Sequence, residues 1–311
     1  MNIIKIPSET AKDILRVPSL NICSYVSELY CDKKQCDNIY SIGDRILTGN
    51  NAFGYMYDAC LDDSCDYIAK WQKITSEQNL NDIKKEATTQ HLLGEKGLAP
   101  KVKQLLICPE GGIIIMEKMS FPVSSKFITL SKKQIREAIG NFNKRINKQC
   151  LAAPDIENMI SNYSDLYLVK DIINETIGFT IENIEITSED TDDVKRKRTN
   201  YLDQIFDLLT LLNKMGYRHG DAHLDNFMFD AQGNIKIIDF GTIGPSNFDS
   251  LEYDINDVLF DLQKRIDDGL GNLQYLYNYT DDYMNSLHSF IRPPPEISEF
   301  EPTQPEFEEL I

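Results

Sequence analysis

Between positions 219 and 241 the chain reads His219-Gly-Asp221-Ala-His223-Leu-Asp225-Asn226, then a short hairpin pattern, then Ile-Ile-Asp239-Phe-Gly241. The hairpin is written as two β-prone runs, Phe227-Met-Phe229 and Ile235-Lys-Ile-Ile238, around the turn residues Asp230-Ala-Gln-Gly233-Asn. A hairpin returns the chain to the end from which it started, so this one carries Asn226 and Asp239 together. Asp221 stands five residues before Asn226 and eighteen before Asp239. Two carboxylates and an amide oxygen are thereby gathered at one end of a β-ribbon, a set of hard oxygen donors suited to a divalent cation.

Phosphoryl transfer from ATP requires a carboxylate to orient the attacking hydroxyl, with amide and carboxylate oxygens to hold Mg2+ against the phosphates. The stretch supplies all three, and it resembles the catalytic and metal-binding loops of the protein-kinase superfamily, H-x-D-x-x-x-x-N followed by D-F-G. The resemblance covers residues 40–290 and implies a two-lobed α+β fold. A small β-rich N-terminal lobe would occupy 40–119 and a larger helical C-terminal lobe 120–292, with ATP and Mg2+ in the cleft. It also assigns roles. Asp221 takes the acceptor proton, Asn226 and Asp239 bind the metal, and His219 is a scaffold residue bonded to backbone near Asp239.

The remaining parts of such a cleft occur upstream in order. Ile46-Leu-Thr-Gly49-Asn-Asn51-Ala-Phe53-Gly54-Tyr-Met56 reads as strand, turn and strand, similar to the glycine loop G-x-G-x-x-G-x-V with Asn51 for the middle glycine. Asn tolerates left-handed backbone, so Gly49, Asn51, Phe53 and Gly54 can still fold over phosphates. Asp66-Tyr-Ile-Ala-Lys70 reads as a strand ending in the phosphate-contacting Lys, with Lys73 as the fallback. Residues 79–96 read as a helix with Asn79 and Asn81 as caps and Gly97 and Pro100 beyond its end. Glu86 in its first half is the partner expected for Lys70, Glu77 and Glu95 lying at the fraying ends. Gly111-Gly-Ile-Ile-Ile-Met116-Glu117-Lys-Met119 is similar to the strand and hinge that bind adenine, with Met116 as gatekeeper and Glu117 and Met119 offering backbone groups. Leu202, Ile205, Phe206, Leu209 and Leu212 form an apolar helical stripe that belongs to the core.

Departures from conventional protein kinases leave the acceptor open. No A-P-E triplet follows Gly241, and about a dozen residues separate it from Tyr253-Asp254-Ile-Asn-Asp257, the helix expected to brace the catalytic loop through Asp254 or Asp257. The activation segment is short, with Thr242 and Ser246 as its hydroxyls. His223 stands where Ser/Thr kinases carry Lys, and H-G-D-x-H-x-x-N is similar to aminoglycoside and choline phosphotransferases. The leading expectation is an atypical Ser/Thr protein kinase. The alternatives are a small-molecule kinase, for whose cationic acceptor Asp225 and Asp249 are candidates, and a pseudokinase scaffold.

A net charge of −17 argues against nucleic acid or anionic membrane as a partner and is compatible with a basic protein substrate. Nothing in the chain fixes an oligomeric state. No apolar run approaches a membrane span and Met1-Asn-Ile-Ile-Lys lacks the form of a signal peptide, so a soluble cytoplasmic protein is expected. Lys195-Arg-Lys-Arg198 reads as a solvated loop or helix start, with a nuclear-localisation signal as the alternative. Cys31 and Cys36, and Cys60 and Cys65, share a four-residue gap. Cys60 and Cys65 flank a hairpin turn, near enough for a disulfide or half a zinc site, but seven cysteines without a secretion signal favour free thiols. Residues 1–39 show amphipathic helical stretches at 11–17 and 20–30. An insertion is expected near 174–193, and 293–311 reads as an acidic, proline-broken disordered tail.

Overall fold

The computed structural model describes residues 2–4, 15–16, 23, 26–31, 36, 38–46, 55–128, 191–247, 249–267 and 273–290. The glycine loop 49–54, the 293–311 tail and all but the last three residues of the expected 174–193 insertion lie outside them.

Runs rich in Ile, Val, Tyr and Trp build the first lobe. Its strands are β1 (Asn2–Ile4), β2 (Leu15–Arg16), β3 (Glu28–Cys31), β4 (Tyr40–Ile46), β5 (Tyr55–Leu61), β6 (Ser64–Lys73), β7 (Val102–Ile107) and β8 (Gly111–Glu117). They form one sheet in the order β1-β3-β7-β8-β6-β5-β4-β2. All pairings are antiparallel except β2 with β4. β8 is buried on both faces. Ile113 and Ile115 pack with Tyr40, Ile42 and Leu106, while Ile114 and Met116 face Ile83 and Ala87 of α1 (Glu77–Glu95). A Cβ on Gly112 would stand 2.7 Å from Ile83 Cγ2, so this glycine lets α1 lie close to the sheet.

The cap of α1 is Ser76, three residues before the first of its expected caps. Ser76 is extended, and its hydroxyl accepts from the Asn79 amide, leaving Asn79 inside the first turn. The helix expected over 20–30 is corrected more strongly, because Glu28–Cys31 is a strand. Its side chains alternate between half-buried and buried, and its backbone completes the open edge of β7. Likewise Leu15–Arg16, inside the helix expected at 11–17, pairs with Tyr40 and Ser41.

The expectation of free thiols is overturned. Cys23 is bonded to Cys108, Cys31 to Cys36 and Cys60 to Cys65. The β5–β6 hairpin turn sets Cys60 across from Cys65, and the β3–β7 ladder brings the chain before β3 to Cys108 at the end of β7. No group of three or more His, Cys, Asp or Glu side chains that could hold a metal occurs among the described residues.

The second lobe packs α2 (Asp192–Lys214), α3 (Ser250–Asp267) and α4 (Gln274–Phe290) around one core. The α2 stripe of Leu202, Ile205, Phe206, Leu209 and Leu212 is fully buried, each side chain contributing about 1.5–3 kcal/mol of burial. The basic run occupies the start of α2, behind a Thr191 cap whose hydroxyl accepts from the Val194 amide. Arg196 and Lys197 pair with Asp193, but Arg198 turns inward and donates to the Lys126 carbonyl, so the run is not a solvated quartet. The small strands β9 (Phe121–Pro122), β11 (Phe227–Phe229) and β12 (Ile235–Ile237) form the hairpin sheet, and β10 (Tyr217–Arg218) pairs with β13 (Gly244–Pro245).

Candidate active site

Lys70 lies on β6 opposite Ile114 of β8, at the face that α1 covers. Its ammonium donates to Glu86 Oε1 at 2.6 Å and to Asp239 Oδ1 at 2.9 Å, so one cation ties the sheet, α1 and the C-terminal lobe together. Glu86 is buried, and its second oxygen accepts from Gln72 at 2.8 Å. Burial pushes the Lys70 amine down, but the Glu86 and Asp239 carboxylates outweigh it and hold the amine above its ordinary value. Burial likewise pushes the Asp239 carboxyl up, and Lys70, with help from His219 and the Gly241 amide, overcomes this and holds it low. The pair therefore stays ionised across the neutral range. Lys73, the fallback, is exposed at the strand end.

Asp239 takes left-handed backbone at φ 59°, an uncommon state for a residue with a Cβ. The turn after it is held from several sides. The Lys85 ammonium donates to the Ile243 carbonyl at 3.1 Å, the Thr242 hydroxyl to the His219 carbonyl at 2.9 Å, and the Ser246 amide to the Gly216 carbonyl at 2.8 Å. Thr242 also explains Gly220, whose φ is +78° and whose absent Cβ would lie 3.0 Å from the Thr242 carbonyl oxygen.

In the loop before the hairpin, His219 is buried and has the scaffold role expected of it. Its Nε2 contacts the Ile238 carbonyl at 2.9 Å and its Nδ1 accepts from the Asp221 amide at 3.3 Å, which together select the Nε2–H tautomer. Asn226 sits at the end of a short 3-10 turn, Leu224–Asn226. Its Nδ2 donates to the Asp221 carbonyl at 2.8 Å and meets Asp221 Oδ2 at 3.4 Å and His223 Nε2 at 3.1 Å. These contacts occupy the nitrogen end of the amide and leave Oδ1 as its donor atom. Asn226 and Asp239 stand at the base of the antiparallel β11–β12 hairpin, and the Ile238 amide bonds the Asn226 carbonyl at 2.9 Å. Two hard oxygen donors from an amide and a carboxylate fit a Mg2+-like ion, which takes few protein ligands and completes its shell with phosphate and water.

α3 braces this loop through Asp254, as expected, with the His219 and Gly220 amides donating to its two oxygens at 2.8 and 2.9 Å. Asp257, the runner-up, reaches the Ala222 amide at 3.4 Å. Burial pushes its carboxyl up, and the neighbouring Asp254 and Asp221 charges add to that.

In the segment expected to form the hinge, the buried Met116 side chain lies 3.0 Å from the Gln90 amide nitrogen. The Glu117 carboxylate is engaged by Lys103 and by the Lys101 amide, and its own amide donates to the Lys101 carbonyl. Met119 is buried one residue before Ser120, whose amide bonds the Phe229 carbonyl at 2.7 Å. Of the two residues considered for a cationic acceptor, Asp225 approaches Arg265 at 3.6 Å and Asp249 is exposed at the start of α3. Gln72 escaped the sequence reading, although its position two residues from Lys70 puts both side chains on one face of β6. Lys85, Asp261 and Arg265 escaped it too.

Residues 182–281 match the Phosphotransferase enzyme family. The serine/threonine-protein kinase DBF20 of Saccharomyces cerevisiae is 32% identical over 62 residues, 19% of this chain and 11% of that protein. The cell cycle protein kinase DBF2 of the same yeast is 31% identical over 96 residues, 28% of this chain and 17% of that protein. The chain thus spans less than a fifth of the length of these curated relatives. Among solved structures, the autoinhibited serine kinase domain of the giant muscle protein titin aligns with a TM-score of 0.37 at 16% identity, over 66% of this chain and 46% of that one. Residues 182–281, which hold Asp221, Asn226, Asp239 and the helices α2 and α3, are thus similar to the Phosphotransferase enzyme family, and they follow a β-rich N-terminal region.

Proposed function

We propose that this protein is an ATP- and Mg2+-dependent phosphotransferase acting as an atypical serine/threonine protein kinase. The observation that carries the reading is the Lys70 ammonium bonded at once to Glu86 and Asp239, which supports a phosphate-binding role for this cation next to the proposed metal ligands. Lys70 positions the α- and β-phosphates, and Met116, Glu117 and Met119 border adenine. Asn226 and Asp239 hold Mg2+, which when bound neutralises phosphate charge. Asp221 orients the acceptor hydroxyl and takes its proton. The net charge of −17 supports a basic polypeptide as acceptor rather than nucleic acid or an anionic membrane surface. Among the described residues no helix is long and apolar enough to cross a membrane. The three disulfides favour a more oxidising setting than the cytoplasm expected from the sequence.

A second reading, a small-molecule kinase, is favoured by the family matched over 182–281 and by His223 in the catalytic loop. One experiment decides between them. The pure protein is incubated with labelled ATP and Mg2+, with a basic protein or with a panel of small alcohols. Label on Ser or Thr of the protein is the expected outcome. Label on small alcohols alone would replace it with the second reading, and nucleotide binding without transfer to any acceptor would reject both in favour of a scaffold.

A further inference from the structure

The loop 219–224 has every backbone amide engaged. Asp221 and His223 use partners within the loop, His219 Nδ1 at 3.3 Å and the Asp221 carbonyl at 3.1 Å. The other four amides all donate to α3, those of His219 and Gly220 to Asp254, that of Ala222 to Asp257 and that of Leu224 to Asp261 at 3.0 Å. Spacings of three and four residues put Asp254, Asp257 and Asp261 on one face of a helix, so a single rigid element holds the loop along its length. Asp254 anchors the His219 end. Asp261 anchors the opposite end, at the first residue of the turn that ends in Asn226.

Asp261 is itself fixed. Arg265, buried one helical turn further on, donates Nε and Nη2 to Asp261 Oδ2 at 3.3 and 3.1 Å, and its Nη2 lies 3.6 Å from Asp225 Oδ1. The guanidinium thus grips the turn twice, through Asp261 to the Leu224 amide and directly at the Asp225 side chain. Leu224 is buried beneath the turn, so a shift of Asp261 passes to Asn226 rather than to solvent.

We propose that Asp261 and Arg265 are positioning residues that aim the Asn226 amide at the metal, acting as a second anchor of the catalytic loop distinct from Asp254. This rests on the phosphotransferase reading for its catalytic consequence, but not for its structural one. Partners that orient a metal ligand change metal affinity or activity by about 10- to 100-fold when removed. Asp261→Ala removes the acceptor from the Leu224 amide, whereas Asp261→Asn keeps one oxygen for it.

The test compares both variants and Arg265→Lys with the unaltered protein by amide hydrogen exchange at residues 224–226, Mn2+ titration in the presence of ADP, metal-free ADP affinity and steady-state kinetics. Asp261→Ala is expected to speed exchange at the turn, raise the Mn2+ requirement and lower kcat about 10- to 100-fold, with metal-free ADP affinity and acceptor KM unchanged. Asp261→Asn is expected to recover most of each loss. Arg265→Lys, which keeps the charge but not the fork, is expected to weaken Mn2+ binding to a smaller degree, and it carries the test should Asp261→Ala fail to fold. Unchanged exchange and Mn2+ binding in the folded variants, or losses in every readout in proportion to a lowered melting temperature, would overturn the proposal. If the unaltered protein transfers no phosphate, the proposed function fails, while exchange and Mn2+ binding still decide the role of Asp261.

Discussion

Replacing both Cys23 and Cys108 by Ser tests whether the first lobe depends on its covalent ties. The bond joins residues 85 apart, and it lies where the β3–β7 ladder ends, beside the Ser27 amide and hydroxyl that both donate to the Ile107 carbonyl. A cross-link closing a loop of that size removes denatured-chain entropy worth about 4.5 kcal/mol at 25 °C. The Cys31–Cys36 and Cys60–Cys65 bonds, each five residues apart, are worth only about 2 kcal/mol apiece by the same relation. The double variant should therefore melt on the order of 10 °C lower in the transition of the first lobe, and reductant should lower the unaltered protein by more than it lowers the variant. Without reductant, titration of the denatured chain should find one thiol, Cys150, of seven cysteines. Seven titratable thiols in protein purified without reductant would refute the pairing. A double variant that melts with the unaltered protein would refute the energetic argument even if the bond is present.

Asp221→Asn should lower phosphoryl transfer about 10²- to 10⁴-fold while circular dichroism and ADP affinity stay unchanged; retained activity would remove Asp221 from the mechanism. Glu86→Ala strips one of two partners from the buried Lys70 and the acceptor from Gln72, so it should destabilise by about 3 kcal/mol in chemical unfolding and raise the KM for ATP. On α4, burial and the hydrogen bond to Asp203 push the Tyr279 phenol up to about 12. A phenol whose folded value is raised contributes stability that is present below about 10 and is lost as pH rises through about 12. Alkaline unfolding between those values should be shallower in Tyr279→Phe, and ultraviolet titration should lose a late-ionising tyrosine.

The hairpin that brings Asn226 and Asp239 together was legible because its signals are local. Residues 219–241 place their donors by one hairpin, and a hairpin declares itself through β-prone runs around a turn, as in Phe227-Met-Phe229 and Ile235-Lys-Ile-Ile238. Glu86 was legible for a related reason, since helix periodicity fixes which of three acidic residues faces the strand. The cysteine pairing was not, because Cys23 and Cys108 meet only through the β3–β7 ladder, a contact between chain segments that no spacing encodes. β3 was misread for the converse reason. Leu29 and Cys31 alternate inward over only four residues, too short a run for period two to stand out from a helical pattern, and the free edge of β7 decides the outcome.

The spacing of Asp254, Asp257 and Asp261 was in plain view, yet a row of carboxylates on a helix reads as a solvated face until the loop amides that it serves are located. The short segment after Gly241 is held by a separate set of contacts. Its turn is fastened by the Lys85 ammonium donating to the Ile243 carbonyl, by the Thr242 hydroxyl donating to the His219 carbonyl and by the β10–β13 pair, while the loop 219–224 is held by α3. Asp239 lies between these two fastenings in left-handed backbone, a conformation that persists only when its surroundings over-determine it. Lys70, bonded to both Glu86 and Asp239, then ties that turn to β6 and α1. The hydrogen bonds of the segment fix the turn that follows Asp239.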